Sequence, residues 1–100
     1  MFEDMMGNLE KQQAEMQNKL IGLVVEIEQD GVTIAGNAAK RVTNINISQE
    51  LLSGGDSEML EDLLIAVFNR FIEEATKVEA SEAENIMKDM LPPDFSNMFK

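Results

Sequence analysis

Lys40 and Arg41 form the only adjacent basic pair in the chain, in the stretch NAAKRVTNINIS (residues 37–48), and no acid occurs between Gly31 and Gln49. Side chains of this kind neutralise anions, and phosphate is the anion that a forked guanidinium beside an ammonium suits best. Further cations stand at Lys11 and Lys19 in the first segment and at Arg70 and Lys77 in the last long one. Asn37, Asn44 and Asn46 flank the pair as uncharged hydrogen-bond donors. Two readings of Lys40 and Arg41 are open on these residues alone: a phosphate contact, or a charged turn that keeps a hairpin soluble.

The rest of the composition removes most other chemistry. There is no cysteine and no histidine, which excludes disulfides, thiol nucleophiles, thiolate or imidazole metal ligands and the commonest general base. The acid pairs Glu61-Asp62 and Glu73-Glu74 are sequence neighbours on a predicted helix and so point apart, forming neither a metal cage nor an acid/base pair. SGGDSE (residues 53–58) lacks the lysine of a phosphate-binding loop. No enzyme, no metal and no cofactor is expected. No apolar run approaches the roughly 20 residues of a membrane span, and the chain opens on acids rather than a basic leader, so a cytoplasmic protein without membrane contact is expected.

Nineteen acids against eight bases give a net charge of −11, a field that repels polyanions at long range. The charge is uneven: residues 1–50 carry −4 and residues 51–100 carry −7. A chain of 100 residues is one domain, and it buries only about 60–65% of its unfolded surface, so a second subunit would add to its stability. Eight methionines against five phenylalanines point to a core or interface filled by flexible thioethers.

The elements that must position the cations follow from hydrophobic period. Met6, Leu9, Gln13, Met16, Leu20 and Leu23 are spaced 3, 4, 3, 4 and 3, the seam of a helix from about Met5 to Ile21 that packs on its own domain or across a subunit interface. After Gly22 the period becomes two. LVVEIEQ, VTIAGN and RVTNINIS predict an antiparallel three-stranded meander whose first turn is Asp30-Gly31, with Ile27 opposite Ile34. Ile45 and Ile47 are expected inward, and Thr33, Asn44 and Asn46 on the polar face. Asp56 or Ser57 is expected to cap a long helix with the stripe Leu60, Leu63, Leu64, Val67, Phe68, Phe71, Ile72, Ala75 and Val78. That helix is predicted to run about 30 residues with a break or fraying near Ser81, and Arg70 and Lys77 to pair with Glu73 or Glu74. Pro92-Pro93 ends it, and Leu91, Phe95, Met98 and Phe99 would dock or stay mobile.

This order of elements and several of its segments resemble the YbaB/EbfC family of nucleoid-associated proteins. GNLEKQQAEMQNK (residues 7–19) is similar to that family's opening segment, KRVTNINIS followed by ELL to its third strand, EMLEDLLIAVFNRF to the start of its long helix, and LPPDF to its close. Asp94 stands where the family usually has glycine, and the strong acidity is a further departure. The resemblance implies an α+β homodimer, helix, meander and long helix, that binds double-stranded DNA with little sequence preference. Its phosphate contacts would come from Lys40, Arg41, Lys11, Lys19, Asn44 and Asn46. Its dimer interface would use Met6, Leu9, Met16, Leu20, Leu23, Phe68 and Phe71. The competing expectation is an acidic, methionine-rich dimeric scaffold for protein partners that has lost direct contact with DNA.

Overall fold

The computed structural model describes residues 2–90; the expectations for Leu91, Phe95, Met98 and Phe99 lie outside them. Among the described residues the order is α1 (Phe2–Ile21), β1 (Val24–Gln29), β2 (Val32–Asn37), β3 (Arg41–Ile47), α2 (Gln49–Ser53) and α3 (Ser57–Met90). The strands form one antiparallel sheet in the order β1-β2-β3, as expected.

Asp30 and Gly31 take φ of 50° and 96°, the two left-handed residues that a tight hairpin turn demands, and Ile27 pairs with Ile34. The second turn is built differently. Ala39 N–H donates to Asn37 Oδ1 at 3.1 Å, Lys40 N–H to the Asn37 carbonyl at 3.1 Å, and Lys40 closes the turn at φ 65°. Ala38 N–H reaches the Leu20 and Leu23 carbonyls at 3.1 and 3.0 Å, so this turn is tied to the end of α1.

β3 carries a bulge. Ala35 faces Asn44 but Gly36 faces Val42, which leaves Thr43 as an extra residue. Gly36 is required there: a Cβ at this position would overlap the Arg41 carbonyl oxygen and come within 2.7 Å of Phe71 Cζ.

α3 begins where expected, with Asp56 Oδ1 accepting from Met59 N–H at 3.0 Å. It lies across β1 and β2, and its Val67, Phe71 and Ala75 fill one core with Leu20, Val25, Val32, Ile34 and Ala38. It does not break near Ser81. Alanines and glutamates over residues 79–84 are strong helix formers and sustain the helix where the apolar stripe thins. Ile72, expected in the stripe, is exposed. A short helix not anticipated from sequence, α2, is capped by Ser48 Oγ accepting from Leu51 N–H at 3.4 Å.

Because α3 covers β1 and β2, β3 is left bare. Ile45 pairs with Ile34 on the helix side of the sheet, the face its alternation predicted, yet it is 44% exposed because α3 does not cover β3. α1 runs beside the second half of α3, with Leu9, Gln13, Met16, Ala83 and Ile86 along an open groove between them. The two helices extend past the sheet, and the radius of gyration is 19.2 Å where a compact chain of this length has about 13 Å.

Candidate nucleic-acid interface

The bulge decides where Arg41 points. Without an extra residue, Arg41 and Asn44 would fall on opposite faces of β3; with Thr43 inserted, Arg41 pairs with Asn37, Asn44 with Ala35 and Asn46 with Thr33, all on the face away from α3. Arg41, Asn44 and Asn46 are therefore one exposed row of donors on the outer face. The same face of β1, the strand at the other edge, carries Glu26 and Glu28. One outer surface is thus split into a donor half and an acidic half.

Lys40 goes the other way. Its ammonium lies 3.4 Å from Glu79 Oε1 on α3, with both side chains about two-fifths exposed. One turn further along α3, Glu82 Oε2 has Lys19 Nζ of α1 at 2.7 Å. The Glu82 side chain is only 16% exposed, against 54% for Lys19, and no hydrogen-bond donor is aligned on that oxygen. Three elements therefore bring Lys19, Lys40 and Arg41 to one end of the sheet, where the α1 terminus and the second turn meet. Lys11 is not part of this group: it stands eight residues before Lys19, about 12 Å up the same helix.

A lysine at φ 65° is itself informative. Glycine or asparagine occupies the left-handed region with less strain, and non-glycine residues held there concentrate at functional positions. The sequence contains a trace of the bulge in the three-residue spacing from Val42 to Ile45, which interrupts the alternation by two. It contains no comparable trace of Glu79 and Glu82 as partners of the lysines. Arg70 likewise departs from expectation: it donates from Nη1 to Gln29 Oε1 at 2.8 Å, and neither it nor Lys77 pairs with Glu73 or Glu74.

The apolar residues expected at a dimer interface separate into three groups. Leu20 and Phe71 are 2% and 1% exposed inside the chain's own core, where contacts with β1, β2 and α3 leave no surface for a second subunit. Leu23, Phe68 and Met16 are half-buried against that core. Met6 and Leu9 are exposed on the projecting half of α1. Sequence reasoning did not anticipate the flank made by Ile65 and Ile72 of α3 beside Phe68, on the side of that helix away from Arg70. Arg70 reaches β1, so this opposite flank faces the bare side of the sheet, toward Ile45.

No group of histidines, cysteines or acids among the described residues is arranged to hold a metal, and none of their helices is long and apolar enough to cross a membrane.

The chain is similar to several known proteins. A protein named as nucleoid-associated from Flavobacterium johnsoniae is 35% identical over 96% of this chain and 95% of its own. The nucleoid-associated protein Acid345_1974 of Koribacter versatilis is 31% identical over 94% of this chain and 95% of its own. The nucleoid-associated protein THEYE_A1069 of Thermodesulfovibrio yellowstonii is 38% identical over 68% of this chain, a match spanning 62% of that protein. In fold, the chain matches the crystal structure of protein HP0035 from Helicobacter pylori with a TM-score of 0.61, 17% identity and coverage of 87% of this chain and 99% of that one. The profile described as the YbaB/EbfC DNA-binding family, a family of nucleoid-associated proteins and not of enzymes, matches residues 1–90, and the chain belongs to that family.

Proposed function

We propose that this chain binds double-stranded DNA as a homodimer, with little sequence preference, and acts at the nucleoid. The observation that carries the reading is the convergence of Lys19, Lys40 and Arg41 from three elements on one end of the sheet, with Lys40 fixed at φ 65° where it closes the second turn. The row of Arg41, Asn44 and Asn46 suits the phosphate backbone more than base edges, because the sheet offers no helix or arm to enter a groove from that side. Lys11 would add a separate, more distant contact on α1, with Glu15 between it and Lys19. Phosphate neutralisation of this kind discriminates weakly between sequences.

The experiment is titration of a fluorescent mixed-sequence duplex at low and at physiological salt. Affinity is expected to fall steeply with salt and to be nearly equal for unrelated duplexes. An absence of binding at both salts would favour the other reading, an acidic scaffold for protein partners, to which the net charge of −11 is better suited.

The bare side of β3 supports the dimer. Among the described residues no strand pairs with its outer edge, its inner face exposes Ile45, and Ile65 and Ile72 of α3 stand beside it, whereas the β1 edge is blunted by Glu26 and Glu28. Two copies joined through β3 would cover those apolar side chains and set two rows of Arg41, Asn44 and Asn46 next to each other. Phe68 would add contacts at that seam, and Met6, Leu9, Met16 and Leu23 would make a separate contact along α1. Sedimentation at micromolar concentration is expected to give twice the 11.2 kDa chain mass, and Ile45→Asp to give the folded monomer. A wild-type protein that sediments as a monomer would end the paired-strand arrangement.

A further inference from the structure

Glu79 and Glu82 lie three residues apart on α3, so their side chains are about 5–6 Å apart on one face, and each holds a lysine delivered by a different element. Phosphates along one strand of a duplex recur at a comparable interval, one charge per about 3.4 Å of axis and somewhat more along the backbone itself. We infer that Glu79 and Glu82 are internal stand-ins for two successive phosphates: they occupy Lys19 and Lys40 in the free protein, and DNA binds by taking those lysines from them. The inference rests on the DNA-binding reading above and adds to it the residues that set the strength of binding.

The two halves of the exchange are unequal. Lys40 and Glu79 are 3.4 Å apart and well exposed, and water takes over both charges when they part. Glu82 is largely shielded, and Lys19 is the cation that compensates it. Drawing Lys19 onto a phosphate leaves that carboxylate under-compensated in a poorly solvated place. Glu82 is therefore the main brake on affinity, and Glu79 the lesser one. This arrangement reconciles a family that binds DNA with a chain this acidic: the acids nearest the lysines lower the affinity without removing the contact.

The test is the duplex titration repeated on Glu82→Gln, Glu79→Gln and the double variant, each first checked for an unchanged helical circular dichroism spectrum. Glu82→Gln is expected to bind about 10-fold tighter and Glu79→Gln about two- to threefold tighter at the same salt. The comparison variant Glu58→Gln, with the same change of charge at the far end of α3, is expected to move affinity less than twofold. Lys19→Ala should weaken binding more in the Glu82→Gln background than in the wild type, the non-additivity that a shared lysine requires. Equal gains from Glu82→Gln and Glu58→Gln, or additive Lys19 and Glu82 effects, would overturn the exchange and leave only a general field. If neither the wild type nor any variant binds duplex at low salt, the DNA-binding reading fails, and the exchange with it.

Discussion

Lys40→Ala/Arg41→Ala is expected to weaken binding to a mixed-sequence duplex on the order of 100-fold at low salt, with the loss nearly the same for every duplex tried. Two cations per chain leave the surface, and each phosphate contact contributes about 0.9 to the slope of log affinity against log salt. The slope should therefore become shallower by about two for each chain that touches the duplex. Both residues are exposed and neither supports the core, so the unfolding midpoint should hardly move. Retained affinity with an unaltered slope would remove this end of the sheet as the contact surface and direct attention to Lys11 and the rest of α1. A loss confined to one duplex sequence would be equally damaging, because it would mean that these side chains read bases.

Gly36→Ala should be among the most destabilising single substitutions in the chain, at about 3 kcal/mol, a large share of the roughly 5–15 kcal/mol by which a domain of this kind is stable. One methyl group at this site meets the backbone of β3 at Arg41 on one side and the fully buried Phe71 ring on the other. Neither yields easily: the Arg41 carbonyl belongs to the bulged strand, and the ring is packed by the whole core. Gly7→Ala provides the opposite sign. Nothing lies within 4 Å of that position on exposed α1, and alanine is the better helix former, so the expected change is a gain of about 0.5–1 kcal/mol. Urea denaturation measures both, and an unmoved midpoint for Gly36→Ala would show that β3 is not held as tightly against β2 as the geometry requires. Because the same contact aims Arg41, the surviving folded Gly36→Ala protein should also bind DNA less well.

Much of this architecture is readable in one dimension because local physics dictates it. Asp30-Gly31 between two alternating apolar runs permits little besides a tight hairpin, and its register then follows from the pairing of Ile27 with Ile34. Asp56 announces α3, and the stripe through Val67, Phe71 and Ala75 identifies the face it buries. What escaped the sequence reading is decided by which element covers which. Leu20 and Leu9 have the same place in the seam of α1, yet one is core and the other is bare, because only the end of that helix reaches the sheet. Ile45 alternates correctly and still faces solvent, since α3 is one helix wide and the sheet is three strands wide. The candidate site was legible as residue types: Lys40, Arg41 and Lys19 do assemble. Their counter-charges, Glu79 and Glu82, were not, because an acid in an acid-rich helix carries no mark of the lysine that a distant turn will bring to it.

α3 runs about 51 Å, and its packing against the core extends from Leu60 to Val78. Its amide protons should accordingly fall into two populations. Around Val67, Phe71 and Ala75 the helix opens only when the core is lost, so exchange with solvent deuterium reports the stability of the entire molecule. Beyond Ala83 it is braced by α1 alone, and it can unwind by the turn while the sheet stays intact. The segment bearing Glu79 and Glu82 sits at the boundary between these regimes, where stiffening of the outer turns by any bound ligand would be felt first.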